Sequence, residues 1–173
     1  MVYGSGLCEV VFVLEHACYN LPMPNVHFSS TVDTWATPQD FFDVVNAEFR
    51  FTLDVCALPS SAKCPVYYSP ENDAFVNPWR GVCWMNPPYG RQIGRWMERA
   101  CRAVWEERAT VVCLVPARTD TRWWWQYVSC WEVRFLPGRL KFGGQDNSAP
   151  FPSALVVMGP GVVAKMVYWD WGG

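Results

Sequence analysis

The chain has 173 residues, of which 51% are hydrophobic and 17% charged, with a formal net charge of −2. That length supports one well-buried core and is too short for two ordinary domains. The apolar run over 7–14 is interrupted by Glu9 and too short to span a bilayer, and no Lys or Arg precedes Arg50, which argues against a signal peptide.

Residues 1–32 contain the turn-like Leu21-Pro22-Met23-Pro24-Asn25 and no motif. They read as an N-terminal extension without an assignable role, with Met23 as an alternative start, ahead of a single domain over 33–173. Thr37-Pro38-Gln39-Asp40 reads as a helix start, with Thr37 as N-cap and Pro38 at the first helical position. Apolar Phe41, Phe42, Val44, Val45 and Phe49 follow, and the helix is expected to end near Phe49.

The segment 51–57 predicts a short apolar strand that carries one carboxylate, Asp54. A Pro- and Ser-containing loop follows, then a strand candidate over 66–68, a polar turn over 69–73, and the apolar run Val82-Cys83-Trp84-Met85. Behind that run stands Asn86-Pro87-Pro88-Tyr89.

After Tyr89, the residues Ile93, Trp96, Met97, Ala100, Cys101 and Val104 recur with the spacing of an amphipathic helix. On its other face Arg91, Arg95, Arg99 and Arg102 read as a solvated stripe. A continuous apolar strand over 110–115 is closed by Pro116, so strand, helix and strand imply a right-handed parallel crossover. A short helix over 121–128 and strands over 132–142 and 153–158 complete the reading. The fold class is α/β, with a mostly parallel sheet flanked by helices.

The Asn86 segment carries the chemistry. An exocyclic amino group is a poor nucleophile while its lone pair is delocalised into a ring, so acceptors must draw it out of plane. The Asn86 side-chain oxygen and the Pro87 carbonyl both accept, and proline brings no competing N–H. Pro87 and Pro88 fix φ near ~−65°, which sets the carbonyl direction at little entropic cost. Tyr89 is then placed to stack on the ring. A strand that simply ends in a Pro-rich turn is the alternative reading of the same four residues. In open parallel sheets ligands collect at the carboxyl ends of strands, where Asp54, the Asn72-Asp73 turn and Asn86 to Tyr89 are all expected.

Composition separates the two halves of the chain. Residues 1–90 hold three basic and nine acidic side chains (−6), residues 91–141 ten basic and five acidic (+5), and the rest −1. The second half therefore suits phosphate. Eleven Trp and ten Phe offer rings for stacking beyond those the core needs. Eight cysteines without a C-x-x-C pair, and only His16 and His27 as imidazoles, make zinc an unsuitable cofactor, and no metal is expected. The cysteines read as free thiols of a reducing compartment.

Five ordered blocks resemble the phage-type, Dam-like DNA N6-adenine methyltransferases: Trp35-Ala36-Thr37-Pro38, Leu53-Asp54-Val55-Cys56-Ala57, Asn86-Pro87-Pro88-Tyr89, Val115-Pro116-Ala117-Arg118-Thr119-Asp120-Thr121 with the tryptophans after it, and Gly138-Arg139-Leu140 with Ala149-Pro150-Phe151. The resemblance covers about 34–158. It implies a Rossmann-like methyltransferase fold, S-adenosylmethionine as donor, adenine in DNA as acceptor, and action in the cytoplasm of a bacterial or phage-infected cell. It further implies that Asn86 and Pro87 accept from the adenine amine, that Tyr89 stacks on the flipped base, that Thr37, Pro38 and Asp54 lie beside the methionine part of the cofactor, and that Asp73 bonds its ribose or adenine.

Thr37-Pro38 also reads as a plain helix cap, and Asp54 and Asp73 as capping or turn carboxylates. Arg118, Arg122, Arg139 and Lys141 are the candidates for phosphate contact. The glycine-rich loop of many methyltransferases is missing after Asp54, where Leu58-Pro59-Ser60-Ser61 stands. Asn-Pro-Pro-Tyr also occurs in enzymes that methylate RNA adenine or protein glutamine, and a non-catalytic DNA-binding prophage remnant is a further reading. The family suggests that the modification shields phage DNA from host restriction.

Overall fold

The computed structural model describes residues 35–144 and 148–172. The readings made for residues 1–32, with Cys8, Cys18, His16 and His27, lie outside the described residues.

The first helix, α1 (Gln39–Phe49), forms where expected, but its N-cap is Pro38 (φ −56°, ψ 141°) rather than Thr37. The Thr37 hydroxyl is engaged elsewhere, so no side chain caps the helix. Arg50 ends the helix in the left-handed region at φ 56°. Its N–H donates to the Asn46 carbonyl (2.9 Å), and the Phe51 N–H donates to Asn46 Oδ1 (2.9 Å), which satisfies the last turn and hands the chain to the sheet. Phe42 packs on Phe51 and Trp84, with ring centroids 5.6 and 5.4 Å away. That contact fixes the start of α1 above the second strand.

The strands are β1 (Leu53–Asp54), β2 (Val82–Met85), β3 (Thr110–Pro116), β4 (Glu132–Phe135), β5 (Ser153–Met158) and β6 (Lys165–Tyr168), in the sheet order β1-β2-β3-β5-β4-β6. β1, β2 and β3 are mutually parallel, and β6 is parallel to β4. β5 pairs antiparallel with both β3 and β4. Five strands therefore point one way and β5 alone runs against them, which gives a mixed, mostly parallel α/β sheet.

β1 is shorter than the predicted strand because the Asp54 carboxylate pulls the chain into a turn at Cys56. Residues 66–68 add only a bridge to Asp54. The predicted strand over 132–142 stops at Phe135, since Pro137 cannot donate to a ladder and Gly138 turns at φ 66°. The C-terminal strand β6, which sequence reading missed, has Met166 and Tyr168 exposed, so it lacks the burial pattern that announces a strand.

Between β2 and β3 runs α2 (Ile93–Glu107), which buries Ile93, Trp96, Met97, Ala100, Ala103 and Val104 as its periodicity demands. Arg99 departs from the expected solvated stripe. It is buried, lies over the Trp79 ring, and donates to the Asn77 carbonyl (2.9 Å) and Glu107 (2.8 Å). The short α3 (Arg122–Tyr127) follows β3. Gly81, at φ +75°, opens β2 against Thr52, where any Cβ would sit 2.7 Å from the threonine hydroxyl. Trp79, Trp84, Phe41, Met85 and Leu114 are among the fully buried side chains between helices and sheet.

Candidate active site

The shared direction of β1, β2 and β3 puts their carboxyl ends on one edge. Asp54 is level with Trp84, so Asn86 stands two residues further along the next strand. Pro116 is level with Ser153, so β5 begins at the edge where β3 ends, and Ala117 N–H donates to the Pro152 carbonyl (2.9 Å). The edge thus gathers the segments after β1, β2, β3 and β4 and the one before β5.

Asn86 is half-buried, and its side-chain amide is held at both ends. Nδ2 donates to the Trp35 carbonyl (2.5 Å) and to Thr37 Oγ1 (3.0 Å). Oδ1 accepts from the Tyr89 hydroxyl (2.7 Å), which also lies 3.2 Å from the Leu114 carbonyl. Pro87 is buried, and no donor among the described residues takes its carbonyl. The two acceptors expected for an amine are present, one held by its neighbours and one by proline rings.

Tyr89 differs from expectation. It is 4% exposed, with Phe142 and Phe151 nearly perpendicular to it at 6.0 and 5.3 Å. Its ring offers no open face to a base in this conformation, and burial drives its hydroxyl pKa well above the usual range. Trp35 packs edge-on to the same two phenylalanines at 5.6 and 5.2 Å. Four rings therefore form a wall behind Asn86 that closes the segments before α1 and β5 over the strand end. Sequence reading missed the Trp35 carbonyl and the wall, although Trp35 and Phe151 lie in the blocks already singled out.

Asp54 is 2% exposed. Its oxygens accept from the Cys56 N–H (3.2 Å) and the Lys63 N–H (3.0 Å), which is a turn-closing role. Burial nevertheless outweighs these bonds and pushes its pKa up to about 6. Asp73 is exposed and accepts from the Phe75 N–H (2.8 Å), as a turn carboxylate does, and it makes no hydrogen bond to Asp54 or Asn86. Pro38 is half-buried beside Thr37.

Arg118, Arg122, Arg139 and Lys141 are all exposed and follow the carboxyl ends of β3 and β4. None is ion-paired among the described residues, and Arg139 donates only to the Ala149 carbonyl (3.3 Å). A shallow depression of about 450 Å³ lies elsewhere, lined by Pro65, Val66, Tyr67, Ser69, Glu71 and Asn72. It is open and holds none of the site residues. The six described cysteines are free thiols, as expected, and no group of three or more His, Cys, Asp or Glu gathers among the described residues.

Fold and edge together define an α/β protein with a rigid acceptor site for a planar amine. The chain belongs to the DNA N-6-adenine-methyltransferase (Dam) family, whose model matches residues 26–158. It is 33% identical over 97 residues to the DNA N-6-adenine-methyltransferase of Haemophilus phage HP1 (strain HP1c1), a match that covers 54% of this chain and 56% of that protein. It is also 35% identical over 65 residues to "Putative methyltransferase YfdM" of Escherichia coli (strain K12), covering 33% of this chain and 71% of that one. The chain thus spans about half the length of the phage relative.

Proposed function

We propose that this chain transfers a methyl group from S-adenosylmethionine to the N6 amine of adenine in DNA. The observation that carries the reading is the Asn86 amide, oriented by three hydrogen bonds at the carboxyl edge of three parallel strands and followed by an unengaged Pro87 carbonyl. Family membership supplies the reaction class and the donor.

Asn86 Oδ1 and the Pro87 carbonyl accept the two amine hydrogens and draw the nitrogen lone pair out of the ring plane. No strong base is needed, because the methylated nitrogen loses its proton to solvent, and catalysis rests on positioning and oriented acceptors. Since N6 is paired inside a duplex, the adenine is swung out of the stack to reach Asn86. S-adenosylmethionine supplies the electrophilic sulfonium methyl. Asp54 suits that group, because above about pH 6 it is a buried anion at the same edge, complementary to a cation. Pro38 lies beside it in this reading, and Asp73 is assigned to the ribose or adenine. Arg118, Arg122, Arg139 and Lys141 hold phosphates around the opening.

Labelled S-adenosylmethionine incubated in parallel with DNA, RNA and protein, followed by nucleoside mass spectrometry, tests the reading. N6-methyladenine in DNA is expected. Asn86→Ala is expected to lower turnover by about 100-fold or more while cofactor affinity stays near wild type. Equal loss of both would assign Asn86 to folding instead.

A further inference from the structure

We propose that Thr37 is a positioning residue which, with the Trp35 carbonyl, fixes the end of the Asn86 amide that meets the substrate and makes the site accept amines and refuse carbonyls. The inference rests on Asn86 acting on the amine.

The Trp35 carbonyl can only accept, so the atom of Asn86 that faces it must be nitrogen. The second Nδ2 hydrogen goes to Thr37 Oγ1 at 3.0 Å. Both hydrogens are then consumed inside the protein. A flipped amide would set Oδ1 against the Trp35 carbonyl oxygen. It would also turn an N–H toward Leu114 and Tyr89, where the hydroxyl now donates to Oδ1.

With the flip excluded, Oδ1 keeps one lone pair beyond the one that Tyr89 occupies. The edge presents acceptors and no donor at this point. An exocyclic amine finds partners, whereas a ring carbonyl in the same place meets oxygen against oxygen. Discrimination of this sort is strong because mismatched polar groups stay unpaired after burial.

The fold prepares Thr37 for this task. Pro38 takes the N-cap position, which frees the threonine hydroxyl, and Thr37 is 6% exposed on the turn that α1 anchors over β2. Its contact is with Asn86, so its effect on catalysis passes through that amide.

Thr37→Val keeps the shape and removes the acceptor, while Thr37→Ser keeps the hydroxyl. Thr37→Val is expected to lower kcat by about ten-fold with the KM for S-adenosylmethionine unchanged, and Thr37→Ser to return kcat to within about two-fold of wild type. Thr37→Val is also expected to narrow the preference for duplexes carrying adenine over the same duplexes carrying hypoxanthine, measured by equilibrium binding. Should the valine variant not fold, Thr37→Ala replaces it against the same serine rescue.

A Thr37→Val enzyme with wild-type kcat and unchanged base preference overturns the proposal. So does one with a raised cofactor KM and unaltered kcat, which makes Thr37 a cofactor contact. An Asn86→Ala enzyme that still turns over overturns instead the reading of Asn86 beneath it.

Discussion

Asn86 and Asp54 show how two polar side chains on one edge are used differently. Asn86 has its donor end satisfied and an acceptor end partly open, so its burial leaves capacity for a ligand. Asp54 spends an oxygen on each of two backbone amides and is nearly enclosed, so its charge is the costly feature. With its pKa raised from 3.8 to about 6, the folded state binds a proton more readily than the unfolded chain does. The sign follows directly: this contribution to stability is present in full below about pH 4 and is lost as pH rises through about 6. At most it amounts to about 3 kcal/mol. Urea unfolding of wild type and Asp54→Asn at pH 4.5, 5.5 and 7 is expected to show a downward slope in the wild type that the asparagine variant lacks. Parallel slopes would show that Asp54 does not titrate in this range. Because a cationic donor favours the ionised carboxylate, cofactor affinity is expected to fall as pH drops through about 6, in titrations by calorimetry.

At the scale of elements, the loop ahead of β2 and the helix α2 are tied by one buried cation. Arg99 spans the Asn77 carbonyl and Glu107, and Glu107 also accepts from the Trp79 N–H. Arg99→Leu leaves the Asn77 carbonyl and the glutamate without that partner, and a loss of about 3 kcal/mol in urea unfolding is expected. The exposed pair Arg102–Glu106 on the same helix is the control, since Arg102→Ala should change stability by about 0.5 kcal/mol or less. Equal effects would mean that burial does not govern the pair. Periodicity disclosed α2 but not the role of Arg99, because an arginine on the polar side of a helical pattern looks solvated until its neighbours are known. Likewise β6 went unseen. Its place on the sheet edge is secured by Trp169, whose N–H donates to the Phe135 carbonyl (2.9 Å), and by Trp169 and Trp171 packing on Phe41.

Across the whole molecule, charge is segregated, and the basic stretch over 91–141 delivers four unpaired cations to the edge that carries Asn86. If they hold phosphates, neutralising any one of Arg118, Arg122, Arg139 or Lys141 should reduce the slope of log affinity against log salt by about 1, with little change in base preference. An unchanged slope in fluorescence titrations removes that residue from the interface. No described helix is long and apolar enough to cross a membrane.

The sequence by itself determined the α/β class, the positions of α1, α2, α3, β3 and β5, and the Asn-Pro-Pro-Tyr segment, because periodicity, proline stereochemistry and side-chain functional groups are local properties. Only the tertiary structure decided that Thr37 bonds Asn86 instead of capping α1, that Tyr89 turns its hydroxyl to the amide and buries its ring, and that Phe142 and Phe151 wall the site. These contacts join residues from 25 to more than 60 positions apart in the chain. Local propensity carries no information about such pairings, which are set by how β5 runs back against its parallel neighbours and where α1 lands on the sheet.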